Sequence, residues 1–382
     1  MNQVSLVGAG AVLPIYLEAE VSVHIDNGVI QSISPTIEIQ GEPVDISGTT
    51  LFPGFIDIHN HGAVGVDVNT ASAEDLLRVA AFLARQGVTS WMPTLVPDSN
   101  ENYWRVIGEI DRLMELQTGR PVAQAVGVHY EGVFASEKMC GALRPEYFKT
   151  FTGTELNDLP RLKTGVHMTT FAPEVEGGIA LVHELVRQGW IASIGHTRAD
   201  PATLDAAFAA GARHMTHFFN AMTGLHHRDI GVVGWGLAND GVTFDIIADG
   251  VHVDPRILGV ACRAKTPAMV SLISDSVAPT GLGDGEFELW GERVSVRNGR
   301  TQNERGSIAG SVSTMLDGVR MLRSLGFSDA DAALMAATNP ARLLGIDDLT
   351  GSIEVGKLAD LVALDDHGNV RMTVVRGQIA EN

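Results

Sequence analysis

LFPGFIDIHNHG, residues 51–62, is the stretch whose reading decides the fold. Its apolar run ends in His59-Asn60-His61. In an extended strand residues two apart face the same side, so both imidazoles can reach one ion while Asn60 points away. Before Leu51 the chain alternates in a β manner, as in VSVHIDNGVIQSISP (21–35), where Asp26-Asn27-Gly28 signals a hairpin. From Leu51 onward, apolar runs alternate with helical stretches. The predicted strands are Leu51 to Asp57, Val88 to Thr94, Ala123 to Glu131, Val166 to Phe171, Trp190 to His196, His214 to His217, Val242 to Ala248, and Met269 to Asp275. Most intervals read as amphipathic helices. In the first, Ser72 and Asp75 form a capping box, LLRVAAFLARQ supplies the apolar face, and Gly87 is placed to end it.

Strand and helix in eightfold alternation predict an α/β chain folded as a (β/α)8 TIM-type barrel. A doubly wound sheet is the alternative. The barrel is preferred because residues able to do chemistry end strands one, three, five, six and eight, and only a closed ring brings those ends together. The closing segment, GSIEVGKLADLVALDDHGNVRMTVVRGQ (351–378), returns to β alternation. It is expected to join the opening segment in a small β-sandwich. The expected division is sandwich from 1–52 and 353–382, and barrel from 53–352.

With 382 residues, 45% of them hydrophobic, the chain can bury a large core. A net charge of −19 with no Lys/Arg run argues against nucleic acid, while a small anionic substrate remains compatible. The apolar runs fall well short of the ~20 residues of a membrane span. The N-terminus lacks a basic leader, and Cys140 and Cys262 offer no disulfide framework, so a soluble, cytoplasmic protein is expected.

Glu131 ends GVHYEGVF (127–134) and could ligate a divalent cation; a solvated loop carboxylate is the plainer reading. His129, two residues earlier, reads as a structural or supporting histidine. His196 in SIGHT (193–197) and His217 in HMTHFFNAM (214–222) each end a strand. Either alone could be a core histidine. Two at matching rim positions, with His59, His61 and Glu131, point to a metal centre whose nitrogen and oxygen donors suit zinc, or alternatively iron. Asp275 in LISDS (272–276) would be held ionised beside a dication and could take a proton from water there. A helix cap is its structural alternative, a task Ser274 or Ser276 could fill.

These motifs, together with GVTSWMPTL (87–95), HRDIGVVG (227–234), IADGVHV (247–253), IAGS (308–311) and NPARLLGI (339–346), resemble the N-acetylglucosamine-6-phosphate deacetylase family of the amidohydrolase superfamily nearly end to end. The resemblance implies hydrolysis of an acetamide on an amino sugar phosphate. It implies Glu131, His196 and His217 as ligands of the principal metal and Asp275 as the catalytic proton acceptor and donor. His59 and His61 fall where some members keep a His-x-His pair, which gives room for a second ion. Ala142, Asn220, Ala221, Arg228, Asp249, His252, Ile308, Ala309 and Gly310 match substrate-binding positions, with Arg228 offered across a homodimer interface.

Three departures are visible. Val133 follows Glu131-Gly132 where the family has proline, which predicts a more mobile loop. Leu143 in KMCGAL (138–143) stands where a polar side chain is common, and a hydrogen bond is lost. HRDIG replaces HREPG, a mild change. These leave open the N-acetylgalactosamine 6-phosphate isomer or another acyl group. A cyclic-amide hydrolase of the dihydroorotase type would need a lysine at the end of the fourth strand, and Lys163 only precedes it. A non-catalytic metal-binding homologue would have lost the base or a ligand, and this chain has both.

Overall fold

The computed structural model describes residues 3–381 except 15, 37 and 38. Gly54 divides the run that the sequence reads as one strand. Thr49–Pro53 pairs antiparallel with Leu361–Asp365 in the sheet of the two termini, whereas Phe55–Asn60 pairs parallel with Val88–Leu95 in the barrel. The first barrel strand therefore begins at Phe55, not Leu51. Gly54 presses on the neighbouring strand so closely that a Cβ there would lie 2.2 Å from Thr89 Cγ2. Its N–H donates to Asp360 O at 2.9 Å, while the next N–H, of Phe55, donates to Gly87 O at 2.9 Å. One residue hands the chain from one sheet to the other.

The barrel strands follow in chain order: Phe55–Asn60, Val88–Leu95, Gly127–Phe134, Val166–Phe171, Ile191–Ile194, His214–Met215, Thr243–Ile247 and Val270–Ile273, each parallel to the next. Gln124–Ala125 is a short lead-in to the third. The eighth strand returns to the first at the rim, where Asn60 bridges Ser276. There Asp275 N–H donates to His59 O (3.0 Å) and His61 N–H donates to Ser276 O (2.8 Å). Beneath them the buried Asp57 accepts the Ser274 hydroxyl at 2.6 Å and the Asn60 amide at 2.9 Å. Closure thus falls on His59, His61 and Asp275, three of the residues that the sequence reading singles out.

Helices Ala73–Arg85, Asn100–Leu116, Gly178–Arg187, Pro201–Ala210, Gly231–Ala238 and Pro255–Lys265 occupy the intervals, with the expected Ser72–Asp75 capping box on the first. The interval after the third strand holds only 3-10 turns, the last at Glu155–Asp158. After the eighth strand comes a three-stranded antiparallel sheet of Gly285–Leu289, Glu292–Arg297 and Arg300–Asn303, which the sequence reading did not foresee. Fully buried Trp91, Tyr103, Tyr130 and Phe244 anchor the barrel core, each side chain contributing roughly 1.5–3 kcal/mol by leaving water.

The terminal sheet runs Gln378–Ile379, Val370–Val375, Leu361–Asp365, Thr49–Pro53, Val4–Val12, Leu17–Asp26, Val29–Ser34. Its Val29–Ser34 end bonds back to the segment leading into Leu361–Asp365, where Ala359 N–H donates to Gly28 O (2.8 Å) and Gly356 N–H to Ile30 O (2.9 Å). The folded sheet encloses its own core, including Leu6, Val23, Ile25, Leu361 and Val374. No helix among the described residues is long and apolar enough to cross a membrane.

Candidate metal centre and active site

Barrel geometry gathers the six strand-end residues singled out in the sequence. Glu131 Oε1 lies 3.0 Å from His196 Nε2 and 2.9 Å from His217 Nε2, and those two nitrogens are 3.0 Å apart. Beside them His59 Nε2 and His61 Nε2 are 3.0 Å apart, at 3.5 and 3.3 Å from Asp275 Oδ1. Glu131 Oε2 reaches His61 Nε2 at 3.2 Å, so this carboxylate belongs to both groups. His196, His217 and Asp275 hold φ of 47°, 32° and 50°. A left-handed backbone costs of order 1–3 kcal/mol per residue and persists where the surrounding structure enforces it. Here it turns each side chain inward as its strand ends.

Hydrogen bonds away from the centre test whether these residues suit a cation. Nδ1 of His196 donates to Met139 O at 2.7 Å, and Nδ1 of His61 donates to Thr94 O at 3.1 Å. Each carbonyl fixes the proton on Nδ1 and leaves the Nε2 lone pair facing the other donors. Lone pairs and carboxylate oxygens converging at about 3 Å share one complement, a positive ion between them. The donor set fits a divalent metal, in two groups whose donor atoms lie within 4.8 Å of one another: Glu131, His196 and His217, and His59, His61 and Asp275.

Electrostatics agree. Burial works to lower the His61 pKa, yet its bonds to Asp275 and Glu131 raise it to about 10. Burial likewise opposes His217, which Glu131 raises to about 9. Burial would raise Glu131, but the charge of His59 and the bonds from His196 and His217 hold it well below the usual carboxylate range. A spot that so favours a proton on imidazole favours a dication for the same Coulombic reason.

Supporting residues were less legible. Asp245, buried in the seventh strand, accepts from the backbone N–H of His217 and lies 3.0 Å from His214 Nε2, which pins the sixth strand end. An aspartate inside VTFDIIA was the signal. His129 is buried with Nε2 at 2.7 Å from Thr170 Oγ1 and its ring edge-on to His59, a supporting position. No helix begins at Asp275, the next starting at Met315, and the flanking Ser274 and Ser276 hydroxyls bond Asp57 and Gly62 O. The helix-cap alternative has no place here. Val133 is buried at the end of the third strand, and its carbonyl accepts Lys149 N–H at 2.8 Å.

A cavity of about 280 Å³ opens over the centre. Ala142, Leu143, Asn220, Ala221, Ile308 and Gly310 line it, with His252, whose Nδ1 is held by Asp249 Oδ2 at 2.7 Å. Asp249 itself stays behind His252, and Ala309, 1% exposed, packs into a small cluster with Val277, Leu289 and Val294. Arg228 is exposed, bonded to His227, and does not line the cavity of its own chain. Trp290, absent from the sequence reading, does line it, from the tip of the unforeseen hairpin. The alternation EFELWGERVSV, with Asn298-Gly299 beyond it, carried the signal.

Relatives share this architecture. The profile of the amidohydrolase family matches residues 50–380. An N-acetylglucosamine-6-phosphate deacetylase of Bacillus subtilis is 37% identical over 94% of this chain and 92% of its own. An N-acetylgalactosamine-6-phosphate deacetylase of Escherichia coli O157:H7 is 35% identical over 94% of each chain. Among solved structures, the N-acetylglucosamine-6-phosphate deacetylase of Pasteurella multocida superposes with a TM-score of 0.92 at 27% identity, covering both chains completely. That of Thermotoga maritima gives 0.87 at 31% identity, covering 98% of each. The chain belongs to the amidohydrolase family, within its group of N-acetylglucosamine-6-phosphate deacetylases.

Proposed function

We propose that the chain hydrolyses the acetamide of N-acetylglucosamine 6-phosphate to glucosamine 6-phosphate and acetate. The observation that carries this reading is the single cavity in which Asp275, four further metal-type donors (His61, Glu131, His196 and His217) and a polar wall meet, with His59 buried just behind them. Glu131, His196 and His217 would hold a divalent metal, zinc by preference and iron as the alternative, and His59 and His61 could help hold a second. Such an ion, when bound, supplies Lewis-acid polarisation of the carbonyl and makes water more acidic.

The chain's own residues do the rest. Asp275 Oδ1 sits 3.3–3.5 Å from both His59 and His61, and burial alone would raise its pKa, but His59 and His61 bring it below the usual value. It is therefore ionised and able to take the proton as water adds to the carbonyl carbon. The same group then returns that proton to nitrogen as the C–N bond breaks. Asn220, Ala221 and His252 face the cavity where a sugar phosphate needs donors, and Ile308 and Gly310 close that side.

Arg228 would reach the phosphate of a second copy's substrate, and the exposed Leu225 (60%) and Ile230 (38%) beside it supply apolar surface for a homodimer. The folded terminal sheet, 1–52 with 353–382, is proposed as one unit bracing the barrel of 53–352. Two free cysteines, Cys140 and Cys262, suit a reducing cytoplasm.

A second reading, N-acetylgalactosamine 6-phosphate, is favoured by the relative of that activity and by Leu143 in the cavity wall. Both readings are tested by acetate release from N-acetylated glucosamine, galactosamine and mannosamine, each with and without the 6-phosphate, on protein of measured metal content. The proposal expects the phosphorylated glucosamine derivative to turn over fastest. A metal-loaded protein releasing acetate from none of them would mark a non-catalytic homologue.

A further inference from the structure

Two bulky uncharged side chains line the cavity away from the loops after strands six and seven: Leu143, from the loop after the third strand, and Trp290, from the hairpin after the eighth. Leu143 is 3% exposed and backed by Gly132, where a Cβ would lie 2.3 Å from Leu143 Cδ1. It is fixed. Trp290 arrives from the hairpin tip, edge-on to His61 with ring centroids 5.4 Å apart. It holds φ of 53° and Gly291 holds 83°, the backbone of a two-residue turn that favours Asn-Gly. A bulky aromatic in the left-handed region is an outlier that the turn itself does not call for. The buried indole N–H approaches the Asp67 carboxyl without making a hydrogen bond of good geometry. The ring is therefore held chiefly by packing, alongside Ala142 and Ala278.

Behind it lies a second cavity of about 300 Å³, over the loops of the first three strands, lined by Asp67, Asn69, Asp98 and Arg144. Trp290 lines both cavities, so the indole is their partition. The direction of the substrate follows from chemistry. An amide carbonyl reacting beside Asp275 sends its nitrogen and sugar one way and its acyl chain the other. The sugar phosphate needs the donors after strands six and seven. The hydrocarbon acyl group is left facing Leu143 and Trp290.

Resting on the deacetylase reading above, we propose that Trp290 gauges acyl-chain length. It closes the reactive cavity at the size of an acetyl group and shuts off the second cavity, into which a longer N-acyl chain would extend. The bonds made and broken are unchanged: water oxygen joins the carbonyl carbon, the C–N bond breaks, and the amine leaves with the proton.

The test compares N-acetyl-, N-propionyl- and N-butyrylglucosamine 6-phosphate as substrates for the metal-loaded parent, Trp290→Gly and Trp290→Phe. Glycine suits the turn's positive φ, and Trp290→Asn serves as a second small side chain should glycine loosen the hairpin. Circular dichroism and metal content are matched first. In Trp290→Gly the butyryl-to-acetyl ratio of kcat/KM should rise at least about tenfold as the steric block on the longer chain is lifted, the low end of the discrimination that a methylene-sized fit gives. Trp290→Phe, which keeps bulk and loses the N–H, should hold the parental ratio. Acetate release with an unmoved ratio in both small variants overturns the gauge alone, as does an equal shift in the phenylalanine variant. A parent that releases no acetate overturns the deacetylase reading and the gauge together.

Discussion

Glu131 Oε1 touches His217 Nε2 at 2.9 Å while its Oε2 touches His61 Nε2 at 3.2 Å, so one carboxylate from the third strand spans both donor groups. Replacing it with glutamine leaves a neutral amide where two sets of imidazoles expect a shared negative charge. Glu131→Gln should lose metal affinity by more than the roughly 10–100-fold that losing an outer hydrogen-bond partner costs. Elemental analysis after dialysis measures it, and a full metal complement would count against the shared role.

Asp275 differs in kind from Glu131. It lies with His59 and His61 but makes no contact under 3.5 Å with the His196–His217 pair among the bonds described. Asp275→Asn should therefore keep the ion held by Glu131, His196 and His217 and lose on the order of 10²–10⁴-fold in kcat. Near-parental turnover would remove its assignment as the proton-transfer group.

Arg228 sits on exposed surface, outside the cavity of its own chain. If it serves a second copy's substrate, Arg228→Ala should lower kcat/KM for the phosphorylated substrate by roughly 10–100-fold, the scale of a charge-assisted hydrogen bond. The unphosphorylated sugar should respond far less. Equal losses on both sugars would make Arg228 a structural residue.

His167 gives a prediction about stability. It is buried, accepts Leu162 N–H at 2.9 Å through Nε2, and has its pKa lowered to about 4, first by burial and then by Arg161. The unfolded chain, with an ordinary histidine near 6.5, binds the proton first as pH falls. Its stabilising contribution is thus complete above about pH 6.5 and is lost on the way down to about pH 4. His167→Gln should flatten the fall of Tm between about pH 7 and about pH 5 relative to the parent. Parallel curves would assign that slope to other groups.

Much of this was legible because strand ends advertise themselves. An apolar run must stop somewhere, and the residue at which it stops is His59, Glu131, His196, His217 or Asp275. What misled was local continuity: LFPGFID looks like one strand, and only the approach of Gly54 to Thr89 reveals that it belongs to two sheets. The hairpin carrying Trp290 was missed because the barrel count ended at Asp275. Asp245 was missed because a lone buried aspartate acquires meaning only when His217 N–H and His214 are found beside it.

By itself the sequence determined the alternation of strand and helix, the chemical types at the rim and the β character of both termini, since hydrophobic periodicity and side-chain chemistry are local properties of the chain. Tertiary structure alone decided that Glu131 would be shared between two donor groups, that carbonyls of Met139 and Thr94 would aim two lone pairs inward, and that Trp290 would stand between two cavities. Those facts depend on distances between residues far apart in the chain, which are set only when closing the barrel brings the strand ends together.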